Sequence, residues 1–376
     1  MTLIFTLLFF AYIVLVVLLT IGWTKSIAAE PLPALRADVM VSVIIPVRNE
    51  QANIGNLLED LRKQSHRRFE VIIVNDHSGD LTTEIVVEFT KRDTRFILVP
   101  TQGEGKKKAL TTGITASTGE IIVTTDGDCR VGSNWLTTIS NYFTVSNTKM
   151  VFGGVRLQGL SFFSIVQSHE FLSLIGTAAA TLWYGFPSMC NGANLAFRKA
   201  TFIEVGGYTN NLHIPSGDDE FLMRKIFALY PDGIQFVKDV RAVVGTSASI
   251  NLKAFVHQRV RWAGKWKHNV SSSNALLAFF IFCFHLSVLL LPISIAVGWI
   301  DLGFGVSLLI LKVIVEGIFL KKVAAFMNVQ WKWPAFIFLQ IFYAIYAISI
   351  GLISSFSSFE WKGRKSKSVA FSVPRK

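Results

Sequence analysis

Two aspartates one residue apart, Asp126 and Asp128, follow an apolar, β-branched run in the stretch 120-EIIVTTDGDCR-130. Their position at the end of a buried strand would bring two carboxylates to one point, where they repel each other unless a positive charge lies between them. Hard cations such as Mg²⁺ and Mn²⁺ take oxygen ligands, often one or two carboxylates together with substrate phosphates. The pair therefore predicts a divalent metal site that neutralises a departing diphosphate. An ordinary Asp-Gly turn is the alternative explanation.

The chain around this pair alternates between strand-like and helix-like segments. Apolar β-branched runs predict strands at 41–47, 69–76, 96–101 and 120–126, and helices are predicted at 50–64, from near Asp80 and from about Lys106. Strands that alternate with helices indicate βαβ units and a parallel sheet. The predicted fold class is therefore α/β.

Polar residues follow three of these strands at their carboxyl ends. They are Pro46, Arg48, Asn49 and Glu50 after the first strand, Asp76 at the end of the second, and Asp126 and Asp128 at the end of the fourth. Ligands of parallel α/β sheets bind beyond the carboxyl ends of the strands. We therefore predict a polar, acidic binding site at this edge of the sheet.

These segments resemble family 2 glycosyltransferases with the GT-A fold. The resemblance rests on 42-SVIIPVRNE-50, 71-VIIVNDHSGD-80, 105-GKKKALTTG-113 and the TDGD motif, which agree with the family in order and separation. It implies a GT-A domain, Rossmann-like with a mostly parallel sheet, in which Asp76 holds the nucleotide base. It also implies that Asp126 and Asp128 bind Mg²⁺ or Mn²⁺. The nucleotide-sugar site would comprise Pro46, Arg48, Asn49, Glu50, Asp76, Lys106 and Asp126. Thr111 departs from the family pattern, which commonly has asparagine there.

Two further segments extend the resemblance toward the acceptor. The stretch 189-MCNGANLAFRK-199 resembles the family's acceptor segment, which implies acceptor contacts for Asn191, Gly192 and Asn194. The stretch 217-GDDEFLMRK-225 resembles the block with the catalytic base, which implies Asp219, or else Asp218, in that role. A carboxylate in that position accepts the proton of the attacking hydroxyl in an inverting transfer. An acid that interacts with the helix dipole is the alternative.

The segment 258-QRVRW-262 resembles the Gln-x-x-Arg-Trp signature of processive, membrane-embedded members such as the cellulose, hyaluronan and poly-N-acetylglucosamine synthases. Arg261 offers a bidentate fork to phosphate and Trp262 a flat face to a sugar ring, while Gln258 lies within one helical turn of both. A basic, aromatic helix on a lipid surface is the alternative, and the adjacent run 265-KWK-267 also favours it.

The bulk composition predicts a membrane portion. The chain has 376 residues, of which 51% are hydrophobic, and its mean hydropathy is +0.46, which is high for a soluble protein. The uncharged run 3–22 is long enough to cross a bilayer. It lacks a basic n-region, so we interpret it as a retained anchor, with a cleaved signal peptide as the alternative. We predict four parts: a transmembrane helix at 1–24, a GT-A domain at 40–270, two or three spans at 275–356, and a basic tail at 357–376.

The net charge of +12 indicates contact with lipid head groups and not with nucleic acid, because many of the cations flank apolar segments. Lys25 and Arg36 follow a neutral amino terminus, which predicts a multi-pass protein of the inner membrane with its catalytic domain in the cytoplasm. The three cysteines form no disulfide or zinc pattern, and this fits a reducing compartment.

Topology and the pair Lys312 and Glu316 leave alternatives open. Three full carboxyl-terminal spans would place the basic tail outside, against the positive-inside rule, so the segment 303–320 is a candidate for incomplete crossing. Lys312 and Glu316 are four residues apart within that segment, and ionisable residues in a span indicate function by default. Mutual neutralisation, or a helix that lies at the interface, explains them equally well.

The sequence thus predicts an inverting glycosyltransferase that moves a sugar from a nucleotide-sugar, favoured as a UDP-sugar, to a polysaccharide or glycolipid acceptor at a lipid bilayer. Proteins of cell-envelope biosynthesis are its candidate partners. A single transfer onto a lipid, of the ceramide or polyprenyl-phosphate type, is the first alternative. It gains weight from the few spans and from the lack of a recognisable Phe-x-Val-Thr-x-Lys loop. A non-catalytic membrane scaffold is the alternative of another class.

Overall fold

The computed structural model describes residues 2–26, 39–144, 147–209, 212, 214, 216–264, 272–356, 360–361 and 364–365. Arg36, the run 265-KWK-267 and most of the predicted basic tail lie outside these residues.

The described residues form twelve α-helices, three short 3₁₀-helices and twelve strands. The helices are α1 (Thr2–Lys25), α2 (Ile54–Arg62), α3 (Thr82–Arg92), α4 (Lys106–Ala116), α5 (Trp135–Asn141), α6 (Phe162–Trp183), α7 (Lys199–Glu204), α8 (Asp218–Leu229), α9 (Leu252–Gly264), α10 (Ser272–Ala296), α11 (Leu302–Met327) and α12 (Trp333–Phe356). The strands are β1 (Val41–Val47), β2 (Phe69–Asn75), β3 (Phe96–Pro100), β4 (Ile121–Thr124), β5 (Cys129–Arg130), β6 (Met150–Gly153), β7 (Val155–Gln158), β8 (Leu195–Arg198), β9 (Ile234–Val237), β10 (Val244–Ser247), β11 (Glu360–Trp361) and β12 (Arg364–Lys365).

A seven-stranded sheet in the order β3-β2-β1-β4-β8-β6-β9 forms the centre of the domain. The strands β1, β2, β3 and β4 run parallel, as predicted, while β8 is antiparallel to both of its neighbours. Val43 on β1 lies opposite Val71 and Val123, and all three side chains are buried. Such β-branched residues fit a strand that is covered on both faces. The sheet is therefore mostly parallel.

Two boundaries near the functional edge differ from the prediction. The first helix after β1 begins at Ile54 and not at residue 50, because the preceding residues form a loop in which the Glu50 N–H donates to the Thr82 hydroxyl. Strand β4 ends at Thr124, two residues before Asp126. The Cys129 N–H donates to the Asp126 carbonyl, which closes a turn at this point. Both aspartates therefore lie in a loop at the edge of the sheet.

A second, three-stranded sheet has the order β5-β10-β7. Strand β5 begins immediately after Asp128 and pairs with β10, with Cys129 opposite Thr246. The loop that carries the two aspartates is thus held between the large sheet at one end and the small sheet at the other.

Four helices are long and apolar enough to cross a membrane among the described residues: Thr2–Lys25, Ala275–Ala296, Leu302–Met327 and Trp333–Ser354. Helix α6 of the domain packs against three of them, α1, α11 and α12, and a glycine permits close approach at the contacts with α1 and α11. A Cβ on Gly22 of α1 would lie 2.9 Å from the Ala180 carbonyl oxygen, and one on Gly176 would lie 2.6 Å from the Phe319 ring of α11. The α/β domain and the apolar helices therefore share a packed interface.

Lys312 and Glu316 neutralise each other inside the helix bundle. The Lys312 ammonium lies 3.0 Å from the Glu316 carboxylate, and it donates to Gln340 on α12 at 2.7 Å. Tyr12 on α1 donates to the same carboxylate at 2.7 Å. The pair thus links α1, α11 and α12 through polar contacts, which are favourable where water is excluded.

His169 joins α6 to the connection between α11 and α12. Its Nδ1 lies 2.8 Å from the Ile165 carbonyl oxygen, and its Nε2 lies 3.2 Å from the Lys332 backbone nitrogen. The carbonyl requires a proton on Nδ1, and the Lys332 N–H requires a lone pair on Nε2. The ring is therefore neutral, and burial lowers its pKa.

Acid is expected to destabilise the protein through His169. Its pKa is lower in the folded than in the unfolded state, so the unfolded state binds more protons as pH falls below about 6.5. Above that pH, the neutral ring makes its full contribution to the free energy of unfolding. By about pH 5.5 it falls by at most about 1.4 kcal/mol. Thermal unfolding in detergent at both pH values should show this loss reduced in His169→Gln and unchanged in His257→Gln, a control at an exposed position. Equal pH dependence in both variants would contradict the assignment.

Candidate active site

A lysine lies between carboxylates from two different elements at the edge of the sheet. The Nζ of Lys106, the first residue of α4, is 2.6 Å from Asp126 Oδ1 and 3.6 Å from Asp218 Oδ2. Burial alone would lower the pKa of Lys106, but the negative charges of Asp126, Asp218 and Asp219 raise it above its ordinary value. The positive charge that the acidic edge requires is thus supplied, in part, by the chain itself.

The two aspartates of the Asp-Gly-Asp loop have different neighbours. Asp126 bonds to Lys106, whereas Asp128 Oδ2 accepts a hydrogen bond from Thr246 Oγ1 on β10 at 3.2 Å. A Cβ on Gly127 between them would lie 3.0 Å from the Glu50 side chain. The loop therefore packs against the end of β1, with the Glu50 side chain next to Gly127.

The donor set at this edge fits a hard divalent cation only together with a substrate. Within the described ranges, no group of three or more His, Cys, Asp or Glu side chains is arranged to hold a metal. Asp126 and Asp128 offer two carboxylates, and Mg²⁺ or Mn²⁺ commonly completes such a set with water and substrate phosphates. A cation here would also compete with Lys106 for Asp126, because both bind the same oxygens.

The residues expected to hold the nucleotide lie together around the ends of β1 and β2. Asn49, in the left-handed region at φ 53°, donates its N–H to Ser78 and accepts the Gly79 N–H on its side chain. Arg48 donates to the Asp76 carbonyl at 3.0 Å. Pro46, near the end of β1, pairs in register with Val74 of β2. The two loops thus form one continuous edge.

Asp76 has a structural link that the sequence did not indicate. Its carboxylate accepts the Gly105 N–H at 3.1 Å, and the residue is almost fully buried. Gly105 has a φ of 100°, a conformation that other residues rarely adopt, and α4 begins immediately after it. Asp76 therefore fixes the loop that delivers Lys106 to the acidic edge.

Asp218 and Asp219 begin α8, after Gly217 with a φ of 79°. Asp219 accepts the Gly192 N–H on Oδ2 at 3.1 Å and the Glu220 N–H on Oδ1 at 2.8 Å. Asp218 is buried, and Asp219 is the more exposed of the two. Asp219 is thus the better placed to meet an incoming hydroxyl, while Asp218 lies closer to Lys106.

Gly192 allows these groups to approach one another. A Cβ at this position would lie 3.1 Å from Asp218 Oδ2 and 3.6 Å from Lys106 Nζ. The Gly192 carbonyl also accepts a hydrogen bond from Thr124 at the end of β4, at 2.8 Å. The backbone at Gly192 therefore packs directly between β4 and α8.

Gly192→Ala is expected to displace the Asp218 carboxylate, which helps to place Lys106, by a few tenths of an ångström and to lower turnover by up to about 10²-fold. The rate of nucleotide release from a sugar donor would measure this effect. Gly55→Ala is the matched control, because its Cβ would meet only Ile85 at an ordinary 3.7 Å. Equal rates for both variants would show that the close approach at Gly192 has no catalytic importance.

Asn194 of the acceptor segment lies in the core of the domain. Asn194 is 1% exposed, its amide nitrogen donates to the carbonyls of Gly154 and Ala242, and its oxygen accepts from Trp135. Its side-chain amide is thus used in the core, and the acceptor contact expected for Asn194 stays a prediction. Asn191 caps the following turn by accepting the Ala193 N–H.

The three residues of the Gln-x-x-Arg-Trp motif have different neighbours on α9. Arg261 has Asp126, Asp218, Asp219 and Asp128 as electrostatic neighbours; burial lowers its pKa, and these carboxylates oppose that effect. Gln258 accepts a hydrogen bond from Arg259 at 2.6 Å, and the Trp262 ring lies 4.4 Å from the Arg259 guanidinium. Arg261 is therefore the member of the motif with the strongest link to the acidic edge.

Known glycosyltransferases resemble this chain in sequence. The family model described as glycosyl transferase family 2 matches residues 42–206. Glycosyltransferase AglE of Haloferax volcanii is 33% identical over 214 residues, which cover 53% of this chain and 65% of that protein. Poly-beta-1,6-N-acetyl-D-glucosamine synthase of Staphylococcus aureus is 24% identical over 245 residues, which cover 61% of this chain and 56% of the synthase. The chain thus spans less than two thirds of the length of both relatives.

One solved structure resembles almost the whole chain. It is the mannosyltransferase PcManGT from Pyrobaculum calidifontis, determined in complex with GDP-Man and Mn²⁺. The TM-score is 0.63 at 17% sequence identity, and the match covers 94% of this chain and 97% of that one. This likeness confirms the predicted GT-A-like fold class.

Proposed function

Because residues 42–206 match the glycosyl transferase family 2 model, we propose that the protein is an inverting glycosyltransferase that moves a sugar from a nucleotide-sugar to an acceptor at a membrane. The observation that carries this proposal is the convergence of Lys106, Arg261 and the four aspartates described above at the carboxyl edge of the sheet. Such an edge combines acids for proton transfer with cations for a diphosphate.

The donor would bind with its nucleotide along the edge formed by the loops after β1 and β2. In this arrangement Lys106 and Arg261 face the diphosphate, since both lie beside Asp126 and Asp218. Positive groups fixed in advance at a departing diphosphate stabilise the charge that develops in the transition state. Asp126 and Asp128 would hold Mg²⁺ or Mn²⁺, which supplies further positive charge there when it is bound.

The acceptor hydroxyl would give its proton to Asp219. The two backbone N–H groups that Asp219 accepts orient its carboxylate, and its exposure leaves it accessible. Asp218 would serve a different role, because its carboxylate lies 3.6 Å from the Lys106 ammonium and helps to place that cation. A base held in one orientation can accept a proton without prior rearrangement.

The acceptor class follows from the position of the site. Helix α9 carries Arg261 and also packs against α12, one of the four helices suited to a membrane. An acceptor that is attached to lipid, or a polysaccharide made at the membrane, would reach the site from that side. The relative that synthesises poly-beta-1,6-N-acetyl-D-glucosamine favours a polysaccharide, and the inner membrane with envelope-biosynthesis partners is the corresponding location.

The nucleotide is favoured as UDP, with GDP as the second candidate because the structural neighbour was determined with GDP-Man. The experiment is release of UDP or GDP from a panel of nucleotide-sugars by the detergent-purified protein, with Mn²⁺, with Mg²⁺ and with EDTA. We expect turnover of one donor that EDTA abolishes. Failure to bind any UDP- or GDP-sugar would favour a non-catalytic scaffold.

A further inference from the structure

Two buried charged side chains and a half-buried tyrosine outside the site join α6, α9 and α12. Arg259 of α9 bonds to the Glu170 carboxylate of α6 through two nitrogens, at 2.5 and 3.2 Å. The hydroxyl of Tyr346 on α12 donates to the same carboxylate at 3.0 Å. Arg259 and Glu170 are each 3% exposed. We name this group the α9 anchor.

The anchor fixes the rotation of α9 about its own axis. The Arg259 guanidinium is bonded to Glu170 and is flanked by two aromatic rings of its own helix, 4.6 Å from Phe255 and 4.4 Å from Trp262. A planar guanidinium with several fixed partners has little freedom to turn. If one partner of a buried ion pair is removed, the other charge remains without compensation, so α9 would shift to expose it.

Arg261 lies on the other side of the same helix. Residues two positions apart in an α-helix point roughly 200° from one another. When Arg259 is held against α6 and α12, Arg261 is therefore directed away from them. The electrostatic neighbours of Arg261 are four aspartates of the acidic edge, which is consistent with this direction of its side chain. A small rotation of α9 would move the Arg261 guanidinium away from the acidic edge.

We propose that Glu170, Arg259 and Tyr346 are positioning residues that hold Arg261 toward the diphosphate of the donor. Through Tyr346, one of the apolar helices contributes directly to the affinity of the donor site. This inference rests on the proposed function, since it assumes that Arg261 binds a nucleoside diphosphate. Its specific consequence is a loss of affinity for the diphosphate group and not for the nucleoside.

The test measures the dissociation constants of UDP and UMP, with GDP and GMP in parallel, for the full detergent-purified chain in Mn²⁺. Arg261→Ala is expected to weaken diphosphate binding on the order of tenfold, the effect of one charge-assisted hydrogen bond. Glu170→Gln should produce a loss of the same size, with monophosphate binding unchanged. In the double variant the losses should not add, because both substitutions remove one interaction. Lys253→Ala, an exposed cation on α9, is the control and should bind like the wild type.

Tyr346→Phe removes one hydroxyl and retains the ion pair, so it tests the α9 anchor even if Glu170→Gln does not fold. We expect it to weaken diphosphate binding less than Glu170→Gln does. The inference is overturned if the folded anchor variants bind UDP or GDP as tightly as the wild type does. It is also overturned if they lose affinity for the monophosphate as much as for the diphosphate, or if their loss of affinity adds to that of Arg261→Ala. A wild-type protein that binds no diphosphate would instead overturn the proposed function, and the inference with it.

Discussion

Replacement of Asp128 by alanine is expected to lower metal-dependent release of nucleotide from the donor on the order of 10³-fold. The Asp128 carboxylate lies at the carboxyl edge of the sheet, and its Oδ2 accepts a hydrogen bond from Thr246 at 3.2 Å. That bond orients the carboxylate before any cation arrives, so the substitution removes a preoriented ligand. The rate would be measured at saturating donor over a series of Mn²⁺ concentrations.

Two companion variants separate the charge of Asp128 from its orientation. Asp128→Asn retains the size of the side chain and an oxygen for Thr246, and it should fail like the alanine variant if charge is what the metal requires. Thr246→Val retains the charge and removes the orienting hydrogen bond, which should weaken Mn²⁺ affinity roughly 10-fold. Mn²⁺ binding in the presence of UDP or GDP, followed by electron paramagnetic resonance, reports affinity independently of turnover. If the rate of Asp128→Ala depends on the Mn²⁺ concentration as the wild-type rate does, Asp128 is not a metal ligand.

The parallel part of the sheet and its functional edge could be predicted from local sequence. Runs such as VSVIIPV are β-branched and apolar without alternation, which is typical of strands covered on both faces, and every residue of β1 except Pro46 is indeed buried. The rule that ligands bind at carboxyl ends then placed Asp76, Asp126 and Asp128 at one edge. Order and spacing along the chain were sufficient because βαβ units have a nearly fixed geometry.

Contacts between distant segments could not be predicted in the same way. The bond from Lys106 to Asp126 and its approach to Asp218 join three elements. The family resemblance of 105-GKKKALTTG-113 singled out Lys106, but nothing in that segment indicated that these two aspartates are its partners. The burial of Asn194 could not be predicted either, because a short polar residue close to a glycine is typical both of a binding loop and of a buried link. Arg259 stands between the motif residues, yet its partners Glu170 and Tyr346 are about 90 residues away on either side. Tertiary packing alone brings such groups together.

Asp218 and Asp219 are adjacent in sequence and differ in their partners. Replacing one aspartate at a time therefore shows which of them accepts the proton of the acceptor and which one places Lys106. Asp219→Asn is expected to lower kcat by about 10²- to 10⁴-fold, the usual contribution of a general base, with donor affinity largely unchanged. Asparagine has nearly the same shape and can still accept the Gly192 N–H, so the loss would reflect basicity and not collapse of the loop.

Asp218→Asn should affect the two measured quantities in the opposite way. Its carboxylate lies near the Lys106 ammonium, so the variant should change donor affinity more than kcat, because a cation that faces the diphosphate loses one of the charges that place it. Steady-state rates and donor dissociation constants for both variants, in the same detergent and metal, distinguish the roles. If kcat falls in Asp218→Asn and persists in Asp219→Asn, the base is Asp218. If kcat persists in both, the acceptor's proton leaves by a route that involves neither carboxylate, and α8 serves only to place Lys106.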